Sequence, residues 1–227
     1  MKRTVEPEWL DELPENDPGA VRSRHDLRRV NFLMGNAGIL ADRLRRLSSD
    51  EFPRRMVELG AGDGTFALRV AAKLADRSKK VDLILVDRQN LVQPETTEAF
   101  LRLGWRTKFV PSDVFEFLSR VEPVDCIFAN LFLHHFQGEQ LSRLLRLMAE
   151  KTRMFAACEP YRSTVGIGGT KLLGLIGCNA VTRHDATISV RAGFRGRELS
   201  ALWPDVGKWK IEEGAAGWFS HAFVASR

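Results

Sequence analysis

Val57–Thr65, with the sequence VELGAGDGT, is the stretch that decides the fold. An acidic residue, Glu58, lies at the end of an apolar run and is followed by glycine at every second position. Glycine lets the backbone turn sharply and come close to a ligand, because it has no Cβ. Helix-like residues follow from Thr65 to Leu74. This order is typical of the strand–turn–helix unit with which open α/β sheets build a nucleotide site.

The spacing of the glycines differs from that of dinucleotide-binding turns. Those turns read G-x-G-x-x-G and hold a pyrophosphate at a helix N-terminus. Here Gly60, Gly62 and Gly64 alternate with single residues, and the carboxylates of Glu58 and Asp63 are close by. Two carboxylates would repel a pyrophosphate but suit a ligand that carries an amine and a sulfonium. Taken alone, the pattern is also compatible with a turn whose glycines serve only packing.

The composition is that of an ordinary globular protein. The chain has 227 residues, of which 44% are hydrophobic and 28% charged, enough for one sizeable α/β domain. A net charge of +5 admits a nucleic-acid partner, but the basic residues are scattered over amphipathic segments. Solvated helix faces explain that scatter better, so nucleic acid is not the expected partner.

Cysteine usage and apolar content bear on metals and location. Cys126, Cys158 and Cys178 are far apart and form no CxxC or Cys/His spacing, so no metal site is expected. Sparse cysteines and an N-terminus without an apolar signal segment favour the cytoplasm. The longest apolar stretch, 172–181, is interrupted by glycine and is too short to span a bilayer.

Apolar runs and helical periodicities alternate between residues 55 and 160. Continuous apolar runs such as 81–86 are typical of buried parallel strands, and 139–151 has the spacing of an amphipathic helix. The alternation predicts a doubly wound parallel sheet. The predicted strands are 55–59, 81–86, 106–110, 124–129 and 154–158, and the predicted helices are 65–75, 94–103, one that starts at 115, and 139–151.

The two ends of the chain differ from this central part. Residues 1–20 are rich in proline and acids and are predicted to form a loosely ordered arm. A helix is predicted over 23–46, with a break near Gly35 and Gly38. Residues 161–195, rich in glycine, have no predicted element, and the predicted elements after them are a short helix at 196–202 and strands at 209–212 and 218–225.

The glycine stretch resembles motif I of class I S-adenosylmethionine (SAM) methyltransferases. The resemblance implies that Glu58 approaches the methionine amine of SAM, directly or through water. It also implies that Gly60, Ala61, Gly62 and Gly64 pass beneath the ligand.

The resemblance also implies a fold: an α/β, doubly wound, mostly parallel seven-stranded Rossmann-like sheet with a C-terminal antiparallel hairpin and an N-terminal helical lid. We divide the chain accordingly into an arm and lid at 1–50 and a SAM-binding domain at 51–227. That domain carries a substrate-side insertion at about 161–200.

Two further acids follow later strands. Asp87, followed by Arg88, ends the apolar run at 81–86 and is placed to accept the ribose hydroxyls of an adenosyl group. Dinucleotide enzymes also place an acid there, and an acidic helix cap is the alternative. The resemblance assigns the adenine site to Asp113 and Val114, although Asp113 can equally cap the next helix.

The stretch Asp125–Phe136, DCIFANLFLHHF, resembles motif IV of small-molecule methyltransferases, including those of ubiquinone and menaquinone biosynthesis. The resemblance implies that Asn130 and Leu131 line the methionine part of SAM. His134 and His135 would follow at the carboxyl edge of the sheet. Neutral histidine is a competent base near pH 7, and the resemblance favours His135. Structural packing of either histidine is the alternative, because methyl transfer often needs only positioning.

Segments outside the motifs are expected to form the acceptor pocket. One is 26–36, a candidate helical lid that includes Asn36; the other is 166–195, which mixes apolar residues with Arg183, His184 and Asp185. Apolar walls with a few polar groups are typical of small-molecule pockets. Arg183 and Asn36 are candidate substrate contacts and His184 a candidate base. A surface loop with a solvated Arg–Asp pair is an equally good interpretation.

Together the motifs indicate a SAM-dependent methyltransferase that yields S-adenosylhomocysteine (SAH) and methylates a small aromatic, quinone-like or polyketide-like acceptor, at oxygen. The expected state is a monomer or homodimer. An RNA or protein methyltransferase is the alternative, although no N/D-P-P-[Y/F/W] tetrapeptide occurs. A non-catalytic SAM-binding protein is the third hypothesis, and an NAD enzyme is disfavoured by Glu58.

Overall fold

The protein has a seven-stranded, mostly parallel sheet that confirms the predicted fold class. The computed structural model describes residues 1–14, 16–48, 52–76 and 80–227. The strands are β1 Arg55–Leu59, β2 Val81–Asp87, β3 Trp105–Pro111, β4 Val124–Asn130, β5 Thr152–Pro160, β6 Lys210–Ala216 and β7 Ser220–Ser226. Their order is β3-β2-β1-β4-β5-β7-β6. The pairs among β1 to β5 are parallel, and β7 is antiparallel to both β5 and β6.

Helices cover both faces of the sheet. They are α1 Trp9–Glu12, α2 Pro18–Met34, α3 Asn36–Leu47, α4 Thr65–Lys73, α5 Pro94–Arg102, α6 Val114–Arg120, α7 Gly138–Lys151, α8 Thr164–Leu172 and α9 Ala180–Ala192. Apolar residues of α3, α4 and α5 form one buried core, and those of α6 and α7 form the other. Successive strand residues point to opposite faces, so each central strand contributes to both cores. None of the helices in the described ranges is both long and apolar enough to cross a bilayer.

The predicted break in the N-terminal helix is found at Gly35. This residue has φ 71° and separates α2 from α3. The predicted start at Ser23 is wrong, because α2 begins at Pro18. The Asp17 carboxylate accepts hydrogen bonds from the first free amides of that helix, so the chain is helical from an earlier cap.

The second half of the chain departs from expectation in two places. The glycine-rich residues 161–195 form α8 and α9, whose N-termini are capped by the side chains of Ser163 and Asn179. The helix predicted at 196–202 is wrong, since these residues form consecutive turns. In α8 the cap at Ser163 outweighed the low helix propensity of its glycines, whereas α9 contains no glycine and begins after its cap at Asn179.

The N-terminal arm is packed, which corrects the prediction that residues 1–20 are loosely ordered. The Arg3 guanidinium donates to the carbonyl oxygens of Ala192 at 2.7 Å, His134 at 3.1 Å and Phe136 at 2.7 Å. The Thr4 amide donates to Arg191 O at 3.2 Å. The arm therefore lies across α9 and the end of β4. Glu15, and the predicted domain boundary between residues 50 and 51, lie outside the described residues.

Candidate ligand site at the carboxyl edge of the sheet

The turn after β1 needs glycine because its backbone has positive φ angles and because one of its positions has no room for a Cβ. Gly60, Gly62 and Gly64 have φ of 69°, 54° and 74°, in the left-handed region that favours glycine. A Cβ on Gly60 would lie 2.3 Å from the ring of Phe132, whereas one on Gly62 would meet nothing within 4 Å. The turn thus has close packing at its start and open space at its centre, where a ligand can approach the backbone.

Hydrogen bonds fix this turn to the end of β2. The amides of Gly60 and Ala61 both donate to Val86 O, at 2.9 and 3.0 Å. The Gly62 amide donates to Asp87 Oδ2 at 2.9 Å. Asp87 Oδ1 accepts from the Gln89 amide at 3.2 Å. The structure therefore brings together the glycine turn and the acid that the sequence assigned to one ligand.

Glu58 is a buried acid that has no counter-ion among the residues the structure describes. It shares a sheet face with Met56 and is 1% exposed. Within the described part of the chain, its Oε2 has no hydrogen-bond partner. Burial raises the pKa of Glu58 well above its ordinary value of 4.5, and the negative charges of Asp63 and Asp87 raise it further. A cation that entered this site would satisfy the unpaired oxygen and stabilise the ionised carboxylate.

Arg88 and Asp113 form an exposed ion pair next to the turn. Arg88 Nη2 lies 2.9 Å from Asp113 Oδ2, while Asp113 Oδ1 accepts from the Phe115 amide at 2.8 Å and caps α6. Burial alone would raise the pKa of Asp113, but these hydrogen bonds outweigh it and lower the pKa. Val114 beside it is buried. Asp113 therefore caps α6, and this role is compatible with the predicted contact between Asp113 and adenine.

Asn130 at the end of β4 belongs to a buried polar network. Its Oδ1 accepts from Asn36 Nδ2 at 2.8 Å, and its Nδ2 donates to Asn31 Oδ1 at 3.3 Å. Ser220 Oγ completes the network by donating to Asn36 Oδ1. The structure places Asn36, the predicted substrate contact, entirely in the interior. Its amide ties the start of α3 to the end of β4.

The backbone turns abruptly after Asn130. Leu131 has φ 50°, an unusual value for a residue with a side chain. Its amide donates to Cys158 O on the neighbouring strand at 2.8 Å. The turn directs the following 3₁₀ helix, Leu133–His135, over the carboxyl edge of the sheet.

His134 lies between two carboxylates. Its Nδ1 is 2.8 Å from Glu159 Oε2, and its Nε2 is 3.4 Å from Glu8 Oε1. Burial alone would lower the pKa of His134, but the two carboxylates outweigh it and raise the pKa to about 9. Burial likewise would raise the pKa of Glu8, yet His134 lowers it to about 2. In the metal-free protein His134 is therefore protonated at pH 7.

His135 has a contrasting environment. Its ring is half-buried, and its Nδ1 lies 3.6 Å from Asp11 Oδ2. Burial and the charge of His134 lower the pKa of His135 to about 4. Burial and the charges of Glu8 and Asp185 raise the pKa of Asp11 to about 6. His135 is therefore neutral at pH 7 and has a lone pair available.

His184 and Arg183 lie on α9. The His184 ring stacks on Trp9, with ring centroids 3.6 Å apart, and its Nδ1 is 2.9 Å from Asp185 Oδ1. The Asp185 carboxylate also accepts from the amides of Trp9 at 2.9 Å and Leu10 at 3.0 Å. His184 and Asp185 thus hold α1, and the Arg183 guanidinium lies against Gly174.

The two segments predicted to form the acceptor pocket are in contact. The Asn179 amide donates to Asp26 Oδ2 at 2.8 Å, and Thr182 Oγ1 bonds to Ser23 Oγ at 2.9 Å. On its other side α2 reaches the glycine turn, where Arg28 Nη1 lies 3.3 Å from Asp63 Oδ2. The helices α2 and α9 therefore pack against each other beside the turn.

Sequence reasoning missed three acids at this edge: Glu8, Asp11 and Glu159. Glu159 was recognisable, because it ends the predicted fifth strand and parallel strands end at the same edge. Its carboxylate accepts from the amides of Phe132 at 3.1 Å and Leu133 at 2.9 Å. Glu8 and Asp11 had no such signal, since their position depends on how the arm folds back.

Comparison with known proteins gives a structural likeness at low sequence identity. No protein-family model and no curated protein sequence matches this chain. The structure of the plantazolicin methyltransferase BpumL in complex with SAH is similar with a TM-score of 0.64 and 16% identity, over 93% of this chain and 91% of that chain. Magnesium protoporphyrin IX methyltransferase from Synechocystis PCC 6803, with bound SAH, has a TM-score of 0.60 and 14% identity, over 94% and 96%.

A putative O-methyltransferase from Nostoc punctiforme PCC 73102 has a TM-score of 0.63 and 12% identity, over 100% of this chain and 64% of that chain. At these identities the likeness establishes a shared fold.

Proposed function

We propose that this protein is a SAM-dependent methyltransferase that acts on a small acceptor and releases SAH. One observation carries the proposal: the buried Glu58 carboxyl, whose Oε2 has no hydrogen-bond partner among the described residues, lies where β1 and β4 adjoin, beside a glycine turn bonded to Asp87. The strand order reverses at that point, which is where open α/β sheets bind ligands. The shared fold with SAH-bound methyltransferases supports the same conclusion.

The residues fit the chemical groups of SAM. In this proposal Glu58 accepts the methionine amine, because its buried carboxyl needs a cationic partner. Asp87 accepts the ribose hydroxyls, and Gly62 lets the ligand approach the backbone. When bound, SAM supplies an electrophilic methyl group on its sulfonium.

The remaining cofactor contacts follow the same edge. Asp113 and Val114 would border the adenine, with Arg88 beside them through its ion pair with Asp113. Asn130 and Leu131 would border the methionine portion. In this scheme α2 and α9 form a lid. The buried network of Asn36 and Asn130 would hold α3, which follows α2 directly, in register with that strand end, and this makes Asn36 a positioning residue.

Catalysis in this scheme rests on positioning and on the exclusion of water by the lid. His134 is protonated and held by two carboxylates, and His184 is stacked on Trp9, so neither is well placed as a base. His135 is neutral, but a group with a pKa of about 4 is a weak base for a phenol of pKa ≈ 10.

A small acceptor methylated at oxygen is the substrate class that we favour. The exposed apolar side chains Phe32 and Leu33 on α2 and Leu172 on α8 suit an aromatic, quinone-like or polyketide-like molecule. Among the structural neighbours, one is named for a porphyrin and one as an O-methyltransferase. Transfer of labelled methyl groups from SAM to a library of phenols and their O-blocked analogues tests this class.

Calorimetric titration with SAM, SAH and NAD⁺ tests the proposal directly. We expect SAM and SAH to bind at one site per chain and NAD⁺ not to bind. Folded protein that shows no heat with millimolar SAM or SAH would refute the proposal. Binding of SAM without transfer to any acceptor in the library would instead favour a non-catalytic SAM-binding protein.

A further inference from the structure

Side chains from the arm and from the end of β4 form a cluster of metal-binding groups. Glu8, His134 and His135 each offer a ligand atom, and these atoms lie within 4.8 Å of one another. Asp11 extends the cluster on its exposed side, next to His135. The cluster is distinct from the glycine turn and from Asp87, and the methyl-transfer scheme above does not use it.

Two of the distances within the cluster are longer than direct hydrogen bonds and suit a shared cation. His134 Nε2 and Glu8 Oε1 are 3.4 Å apart, and His135 Nδ1 and Asp11 Oδ2 are 3.6 Å apart. Good N–H···O hydrogen bonds measure about 2.7–3.2 Å. Two ligands of a tetrahedral zinc ion, each about 2.0–2.1 Å from the metal, lie about 3.3–3.4 Å from one another.

The surroundings of the cluster orient its atoms as metal ligands are oriented. The Glu159 carboxylate engages His134 Nδ1 at 2.8 Å, so the Nε2 atom of the ring points at Glu8. Carboxylates that hold the second nitrogen of a histidine in this way are characteristic of zinc sites. Glu8 Oε1 is itself held by the hydroxyl of Ser189, as ligating carboxylates commonly are.

Other contacts of the arm hold Glu8 in place without a metal. Arg3 bonds to three carbonyl oxygens around the 3₁₀ helix. The Asp185 carboxylate accepts the first amides of α1, immediately after Glu8. The ligands are therefore largely preorganised, while the exposed side of His135 and Asp11 provides a path of entry.

We propose that Glu8, His134 and His135, with Asp11 as the fourth ligand, bind a divalent transition-metal ion of the zinc type. Zn²⁺ is bound in proteins by histidine nitrogen and by Asp or Glu oxygen. The bound ion links the N-terminal arm to the edge of the sheet above the 3₁₀ helix. His135 then serves as a ligand, which agrees with a reaction that depends on positioning.

The experiment is a calorimetric titration of tag-free, chelator-treated full-length protein with Zn²⁺, repeated with Co²⁺ and read by visible absorption. We expect one ion per chain and an intense tetrahedral Co²⁺ spectrum. His135→Ala and Glu8→Gln should each weaken Zn²⁺ binding by more than tenfold. Glu159→Gln should weaken it by about 10- to 100-fold, as loss of an orienting carboxylate does.

His25→Ala is the matched control, because His25 is exposed on α2 and bonds to Arg28. It should leave zinc affinity unchanged. Equal affinities for His135→Ala and His25→Ala, or wild-type binding weaker than millimolar, would overturn the proposal. His135 is only half-buried, so this variant should fold, and circular dichroism checks that it does.

The zinc measurement is made without SAM and does not rest on the proposed function. If the protein binds zinc but does not bind SAM, the metal site is supported and the proposed methyltransferase function is refuted. If it binds SAM but does not bind zinc, only the metal site is refuted.

Discussion

The glycine turn after β1 and the histidine cluster under the N-terminal arm lie at the same edge of the sheet but are built differently. In the turn, Glu58, Gly60 and Gly62 are almost contiguous, and one hydrogen bond joins them to Asp87. In the cluster, Glu8 and His134 are separated by most of the chain. The first region is a property of one strand–turn–helix unit, whereas the second exists only when the arm is folded back. Substitutions should therefore affect the two regions independently.

The largest effect is expected for Gly60→Ala. The new Cβ would lie 2.3 Å from the Phe132 ring on a residue with φ 69°. Overpacking and left-handed strain together should cost about 2–4 kcal/mol of the free energy of unfolding. Chemical denaturation measures this cost. Gly62→Ala is the control: its φ is 54° but its Cβ meets no atom within 4 Å, so only about 1–2 kcal/mol should be lost.

Asp87→Ala should weaken SAM binding by about 100-fold, since hydrogen bonds to a charged acceptor each contribute about 1.5–3 kcal/mol. Titration calorimetry gives the affinity. Asp82→Ala, on the same strand but at an exposed ion pair with Arg106, should have no effect. If both variants bind SAM like the wild type, Asp87 does not contact the ligand. Zinc affinity should be the same in all three proteins.

Glu58→Gln should weaken SAM binding by about tenfold, because a charged partner of the amine is lost, and yet raise the melting temperature of the free protein. The folded-state pKa of Glu58 is raised above its ordinary 4.5. Its contribution to stability is thus complete below about that pH and is lost as the pH rises. The melting temperatures of variant and wild type should therefore diverge as the pH rises above 4.5.

The same carboxyl should release a proton when SAM binds. A cationic amine favours the ionised form of Glu58, so the binding enthalpy in wild-type protein should depend on the ionisation enthalpy of the buffer. Glu58→Gln should abolish most of that dependence. A variant that is less stable than the wild type at neutral pH would contradict the buried, unpaired state of Glu58.

The smallest effect is expected for Asp185→Asn, which weakens the cap of α1. About 1 kcal/mol should be lost, and the loss should be confined to the arm, where hydrogen exchange over residues 3–13 reports it. SAM affinity should stay unchanged. Asp205→Asn, an exposed side chain bonded to Lys208, is the control. Faster exchange throughout the sheet would show that arm and sheet form one cooperative unit.

Local pattern was sufficient to predict most of the central fold. The five parallel strands are each an apolar run bounded by a turn or an acid, and β1 begins and ends at the predicted residues. The glycine-rich residues 161–195 could not be predicted in this way. The helices in this segment depend on the caps at Ser163 and Asn179 and on packing against α2. The apolar residues of the segment have no periodicity that predicts these helices.

The sequence by itself determined the central strands, the glycine turn and the positions of Glu58 and Asp87 at strand ends, because each depends on backbone conformation and on neighbours a few residues away. Tertiary structure alone decided that Asn36 is buried, that His184 holds Trp9 and that two arm carboxylates meet the histidine pair. These contacts join segments more than 90 residues apart in the chain. Such contacts form only when burial of apolar surface offsets the entropy of closing long loops, and no local pattern records them.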